Sequence, residues 1–216
     1  MTPARILVAD DHEIVRQGVR RIVEGQAGWV VCGEANTGRD VVAKAVDLKP
    51  DIVVLDVSMP ELNGLEATGQ IRRVAAAKVL ILTVHETDQV VTEVLEAGAH
   101  GYIVKADAAR TLVEAISALL AGGTYFTTRL HVIDDSGAGL DRRRAYVGER
   151  SGRLTPRQRE VLQLITEGRT NRQIGAILGM TTKTAETHRA NIQARLNLHS
   201  TSALVRYAIR NRTIEP

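Results

Sequence analysis

Ile6-Leu7-Val8-Ala9-Asp10-Asp11 is a run of four aliphatic residues that stops at two acids, and the same plan recurs down the chain. Ile52-Val53-Val54-Leu55 ends in Asp56, Val79-Leu80-Ile81-Leu82 in Thr83, and Tyr102-Ile103-Val104 in Lys105. Apolar runs this short, separated by segments of helical period, are the pattern of strands buried on both faces of a parallel sheet. With Val30–Glu34 they predict five strands in an open, doubly wound α/β sheet. Ligands of such sheets bind beyond the carboxyl ends of the strands, so the acids, the hydroxyl and the ammonium should meet on one rim. Three close carboxylates repel one another unless a cation joins them, which makes Asp56 a candidate to carry a phosphoryl group.

Helical patterns fill the gaps at Glu13–Glu24, Arg39–Asp47, Gly64–Val74, Asp88–Ala97 and Ala109–Leu120, with Gly122-Gly123 ending the last. In the first of these, Ile14, Val15, Val19, Ile22 and Val23 are read as one apolar face. From Asp134 to Gly152 the composition turns to Asp, Ser, Gly and Arg, including Arg142-Arg143-Arg144, a linker of about 19 residues. Beyond it, Thr155-Pro156-Arg157-Gln158 and Thr170-Asn171-Arg172-Gln173 have the form of capping boxes. Leu178-Gly179-Met180 then makes the turn of a helix-turn-helix, Thr181-Thr182 open a helix to about Leu196, and a last helix spans Ser200–Arg210.

Charge is divided unevenly. Residues 1–130 hold 13 Lys/Arg against 17 Asp/Glu, whereas residues 151–216 hold 11 against 4. An acidic half joined to a basic half suggests a cation site in one and polyanion binding in the other. Cys32 is the only cysteine, which excludes an internal disulfide and a cysteine-based zinc cluster; its apolar run marks it as core. Arg5, Asp10 and Asp11 interrupt any signal-peptide core, and no run approaches the ~18 apolar residues of a membrane span. A soluble, cytoplasmic protein is expected.

Val8-Ala9-Asp10-Asp11-His12, Leu55-Asp56-Val57-Ser58-Met59-Pro60, Leu82-Thr83-Val84-His85 and Gly101-Tyr102-Ile103-Val104-Lys105 occur in that order. On these motifs the first part of the chain resembles a response-regulator receiver domain, over residues 5–121, with the flavodoxin-like fold. Residues 153–214 resemble the small, all-α, four-helix DNA-binding domain of the LuxR type. A tail and flexible linker at 122–152 separates the two. The whole is similar to the NarL/FixJ group of two-component transcriptional regulators. Ala106 stands where receivers commonly have proline, a difference that group often shares.

The resemblance implies magnesium held by Asp11, Asp56 and the Ser58 carbonyl, with Asp10 acting through a water. Lys105 and the metal would neutralise a phosphoryl group during in-line attack by Asp56. Thr83 would bond the transferred group and Tyr102 would swing inward after it, a switch biased by one charged group. His12 and His85 flank the site, but the carboxylates account for it without them. The implied partners are a sensor histidine kinase, double-stranded operator DNA, a second copy once phosphorylated, and RNA polymerase, with no membrane.

At about 100° per residue, Ala185, Ile192 and Leu196 share one face of the 182–196 helix, and Lys183, Thr187, Ala190 and Ala194 lie opposite. Small residues outward let a helix settle into the major groove, so Lys183, Thr187 and Asn191 are expected contacts. Glu186 is placed to accept from cytosine, while His188 and Arg189 reach phosphates sideways. Two rival readings differ in class. A haloacid-dehalogenase-like phosphatase also uses an aspartyl phosphate, but it wants Asp-x-Asp where Asp56-Val57-Ser58 stands. A constitutive DNA-binding protein with a silent receiver would not need the intact acid set. Apart from self-phosphorylation and slow self-dephosphorylation dependent on magnesium, no enzymatic turnover is expected.

Overall fold

The computed structural model describes residues 2–84, 88–126 and 154–210. Strands β1 (Ala4–Ala9), β2 (Trp29–Ala35), β3 (Ile52–Asp56), β4 (Lys78–Thr83) and β5 (Gly101–Val104) alternate with helices α1 (Glu13–Glu24), α2 (Gly38–Leu48), α3 (Gly64–Val74), α4 (Asp88–Ala97) and α5 (Ala108–Leu120). All strand pairs are parallel, in the order β2-β1-β3-β4-β5-β6. The expected doubly wound sheet is therefore present, with a correction from five strands to six. The sixth, β6 (Tyr125–Phe126), pairs with β5 and brings residues expected in the tail into the sheet. Two residues carry no period to read, so nothing local announced it.

Alternation along the central strands builds a core on each face. Leu7, Val53, Leu55, Val79 and Ile81 pack on one side, while Ile6, Val8, Ile52, Val54, Leu80 and Leu82 pack on the other. Each fully buried aliphatic side chain contributes roughly 1.5–3 kcal/mol, and a one-residue slip would move the whole set to the wrong face. Register is thereby fixed, and with it the height at which Asp10, Asp56, Thr83 and Lys105 leave the sheet. The turn after β3 is packed tightly as well. Gly64 donates its N–H to the Val57 carbonyl at 2.8 Å, and a Cβ there would stand 2.0 Å from the Asp56 carbonyl oxygen.

Two details of the sequence reading meet the structure differently. Ile14 is 86% exposed, whereas Val19 and Val23 of the same helix are buried. Nine residues at 100° each put Ile14 and Val23 on opposite sides of the helix, about 180° apart. Cys32 is half-buried and packs against the first core, and burial raises its thiol pKa, which disfavours the reactive thiolate.

The second unit contains α6 (Pro156–Thr166), α7 (Asn171–Leu178), α8 (Thr182–Leu196) and α9 (Thr201–Arg210) around a core of Val161, Leu162, Leu164, Ile174, Ala185, Ile192 and Leu204. Both expected capping boxes form: Thr155 with Gln158 and Thr170 with Gln173, each exchanging side-chain and backbone hydrogen bonds. Gly179 takes φ 62°, the left-handed conformation that ends α7 and lets α8 turn away. Arg142-Arg143-Arg144 and His85 lie outside the described residues.

Candidate functional site

Three strand ends and the chain following β1 converge at one rim. Lys105 Nζ lies 2.7 Å from Asp10 Oδ2 and 3.0 Å from Asp56 Oδ2, so one ammonium bridges β1, β3 and β5. Asp10 and Asp56 are buried, Asp11 is exposed at the mouth, and Asp10, Asp11, His12 and Asp56 each bring a ligand atom within 4.8 Å of the others. Three carboxylates thus face one ammonium, which leaves an excess of negative charge. The Asp10 and Asp56 Oδ2 atoms are ion-paired with Lys105 yet accept no well-aligned hydrogen bond. A divalent cation with oxygen ligands fits this donor set.

The electrostatics follow from burial. Loss of water pushes the Asp56 carboxyl up to about 7; Lys105 pulls it back down, and Asp10 and Asp11 push it up again. Burial lowers the Lys105 pKa, but attraction to Asp56 and Asp10 outweighs it and leaves the ammonium more firmly protonated than usual. His12 Nδ1 sits 2.8 Å from Asp11 Oδ1 and 3.3 Å from Asp10 Oδ1, and the His12 backbone N–H donates to Asp10 Oδ1 at 2.9 Å. The imidazole therefore belongs to the cluster's margin more closely than its flanking position suggested.

Thr83 ends β4 with only 1% of its surface exposed, and Ser58 is half-buried two residues past Asp56. Tyr102 requires a correction. An inward swing upon phosphorylation was expected, but the ring is already fully buried. Its register explains this: Tyr102 pairs with Ile81 on one side and with Phe126 of the unforeseen β6 on the other, inside the first core.

On α8, Lys183, Glu186, Thr187, Ala190, Asn191 and Ala194 are exposed, whereas Ala185 and Ile192 are buried and Leu196 is half-buried. The outward face is the one the helical period gave. Thr187 donates its hydroxyl to the Lys183 carbonyl at 3.0 Å and keeps its acceptor lone pairs outward. His188 and Arg189 are half-buried, and Arg189 is held sideways by a 2.7 Å bond to Thr201 Oγ1 of α9. Residues of α6 and its C-cap that meet the first unit, chiefly Glu160, Gln163 and Glu167, were not singled out from sequence. Polar side chains on a helix carry no local mark of a distant partner.

The model of the response regulator receiver domain matches residues 6–117, and that of bacterial regulatory proteins of the luxR family matches 152–208. The chain is a two-component response regulator of the LuxR type. Over 214 residues this regulator is 37% identical to the transcriptional regulatory protein LiaR of Bacillus subtilis, covering 97% of its own length and 99% of LiaR. Among solved structures it resembles RcsB of Salmonella typhimurium, with 25% identity, a TM-score of 0.62 and coverage of 96% and 97% of the two chains. A LuxR-family response regulator from Aurantimonas sp. SI85-9A1 is 42% identical over 57% of this chain and 89% of that one, with a TM-score of 0.54. The regulator is accordingly a transcriptional response regulator with a receiver and a LuxR-type DNA-binding domain. Among its described residues no helix is long and apolar enough to cross a membrane.

A carboxyl whose pKa is raised by folding binds its proton more tightly in the folded chain than in the unfolded one. Its contribution to stability is present below the ordinary value of 3.8 and is lost as pH rises through about 7. Asp56→Asn should therefore be more stable than the wild type at pH 8 in metal-free buffer, by on the order of 1–3 kcal/mol. The gap should close toward pH 4. Urea unfolding at both pH values checks this, and a gap that widened toward acid pH would contradict the assigned charge state.

Proposed function

We propose that this regulator accepts a phosphoryl group on Asp56 from a partner histidine kinase, dimerises, and then binds operator DNA through α8. The observation that carries the reading is the carboxylate of Asp56 at the rim, 3.0 Å from Lys105 and beside two further acids. Asp11, Asp56 and the Ser58 carbonyl would hold magnesium, with Asp10 acting through a bound water. The metal would supply charge neutralisation at the phosphoryl oxygens.

Asp56 is the nucleophile. Its carboxylate oxygen forms the new O–P bond as the bond from phosphorus to the donor nitrogen breaks, and the electron pair leaves with the donor's imidazole. Lys105 moves with the phosphoryl charge, exchanging part of its pairing with Asp56 for the transferred oxygens. Thr83, buried at the end of the neighbouring strand, offers a hydroxyl to the phosphoryl oxygen and reads its presence without transferring it. Apart from making and slowly hydrolysing its own acyl phosphate, the chain turns over no substrate.

In the DNA complex Lys183, Thr187 and Asn191 read base edges, and Glu186 accepts from cytosine. Arg189 and His188 touch phosphates from the flank, the direction in which Thr201 already holds Arg189. The cytoplasm is where such a chain meets both DNA and the kinase, and RNA polymerase is a further partner in transcription.

Acetyl phosphate with magnesium should add one acid-labile phosphoryl group to the wild type and none to Asp56→Asn by intact mass. Equal labelling of both chains would move the acceptor elsewhere. On DNA, Asn191→Ala should cost roughly 1–3 kcal/mol on the operator alone. Arg189→Ala should weaken operator and random DNA alike and flatten the salt slope by about one unit. Titrations at two salt concentrations separate the two, and an Asn191→Ala chain weakened equally on both DNAs would show that the reading face is wrong.

A further inference from the structure

His12 holds the N-cap of α1, at φ −86° and ψ 113°, and its side chain makes no capping bond. That position favours Ser, Thr, Asp or Asn, whose short side chains reach the free N–H groups of the first turn. The imidazole turns to the acidic rim instead. Its Nδ1 stands 2.8 Å from Asp11 Oδ1 and 3.3 Å from Asp10 Oδ1, while the backbone N–H of His12 pins the same Asp10 oxygen at 2.9 Å. Two donors that share one ion, each about 2.1 Å from it, stand roughly 3.0–3.4 Å apart in octahedral or tetrahedral geometry. Both distances from Nδ1 lie close to that range. Asp10 divides its oxygens accordingly, Oδ2 to Lys105 and Oδ1 toward His12.

Burial supplies a second observation. Asp10 and Asp56 are 1% and 3% exposed, and each holds an Oδ2 that accepts no hydrogen bond and shares the one ammonium of Lys105. An ion joining the cluster supplies the missing positive charge. Carboxylates alone suit a hard cation such as magnesium, which keeps several of its waters. Imidazole changes that preference: it is the softer donor, suited to zinc, nickel and copper, and it adds no negative charge to three acids that already repel. A neutral ring carries one proton for two nitrogens, so with Nδ1 on an ion the proton sits on Nε2, on a side chain 61% exposed to water. We propose that His12 is a nitrogen ligand of the rim, so that with Asp10, Asp11 and Asp56 it takes a borderline transition cation, zinc above all, in preference to magnesium. The inference rests on the reading above that the rim holds a divalent cation, and it names the residue that selects which one.

His12→Ser removes the imidazole and supplies an ordinary helix cap, so the fold is kept. In the full chain with nitrogen-15 in its histidine rings, one equivalent of zinc chloride should move the His12 ring signals to metal-bound values; the His12→Ser spectrum, which lacks them, assigns them. Asp11→Asn should abolish the movement, which ties it to the rim and not to the other histidines. Competition calorimetry against a chelator should show zinc bound about tenfold or more weakly by His12→Ser, since even groups that touch a metal only through its ligands are worth that much. Half-saturating magnesium should change by less than about twofold, because a water takes the place of the ring in its shell. His12 signals unmoved by zinc, movement that survives in Asp11→Asn, equal zinc affinities, or a loss shared equally by magnesium would each overturn the assignment. Neither readout involves phosphoryl transfer. A chain with the His12-dependent preference that refused acetyl phosphate would keep the ligand and lose the phosphoacceptor reading; a chain that accepted the phosphoryl group without any His12 effect on metal would do the reverse.

Discussion

Unbalanced charge at one rim organises this protein. Register-locked strands hold Asp10 and Asp56 out of water, Asp11 guards the mouth, and a single ammonium from β5 lies within 3.0 Å of the two buried acids. Carboxylates placed so close repel, and burial withdraws the solvent that would screen them. The consequence is an Asp56 carboxyl that burial and its acidic neighbours push up to about 7 against the pull of Lys105. The phosphoryl transfer proposed for this rim would use a cation to neutralise oxygens and a carboxylate free to attack.

The sheet transmits this local condition to its margins. Asp56 leads directly into a turn so crowded that Gly64 has no room for a Cβ, and that turn is gripped by α6 of the second unit. A helix of a DNA-binding domain therefore contacts the backbone one residue past Ser58.

Much of this was legible in the residues. The strand runs and their terminal polar residues located the rim because burial on both faces forces continuous apolar runs, and Asp10, Asp11, Asp56 and Lys105 meet there. The helical period likewise separated the buried Ala185 and Ile192 of α8 from the exposed Lys183, Thr187 and Asn191. Capping boxes placed the starts of α6 and α7 because their chemistry is local. Long-range features were not legible. β6 is two residues long, and the buried position of Tyr102 depends on it. The exposure of Ile14 follows from helical geometry and was open to closer counting. The Gln163 clamp joins residues 100 and 104 positions apart, a separation at which no sequence period speaks.

The central claim is that burial and crowding hold the Asp56 carboxyl protonated to about neutral pH until a divalent cation joins the rim. Carbon-13 NMR of the aspartate side-chain carboxyls in the full chain, assigned by comparison with Asp56→Asn, measures this without reference to activity. In metal-free buffer the Asp56 signal should titrate at about 7, and saturating magnesium should move the transition to markedly lower pH. A metal-free transition near the ordinary 3.8, unmoved by magnesium, would contradict the account.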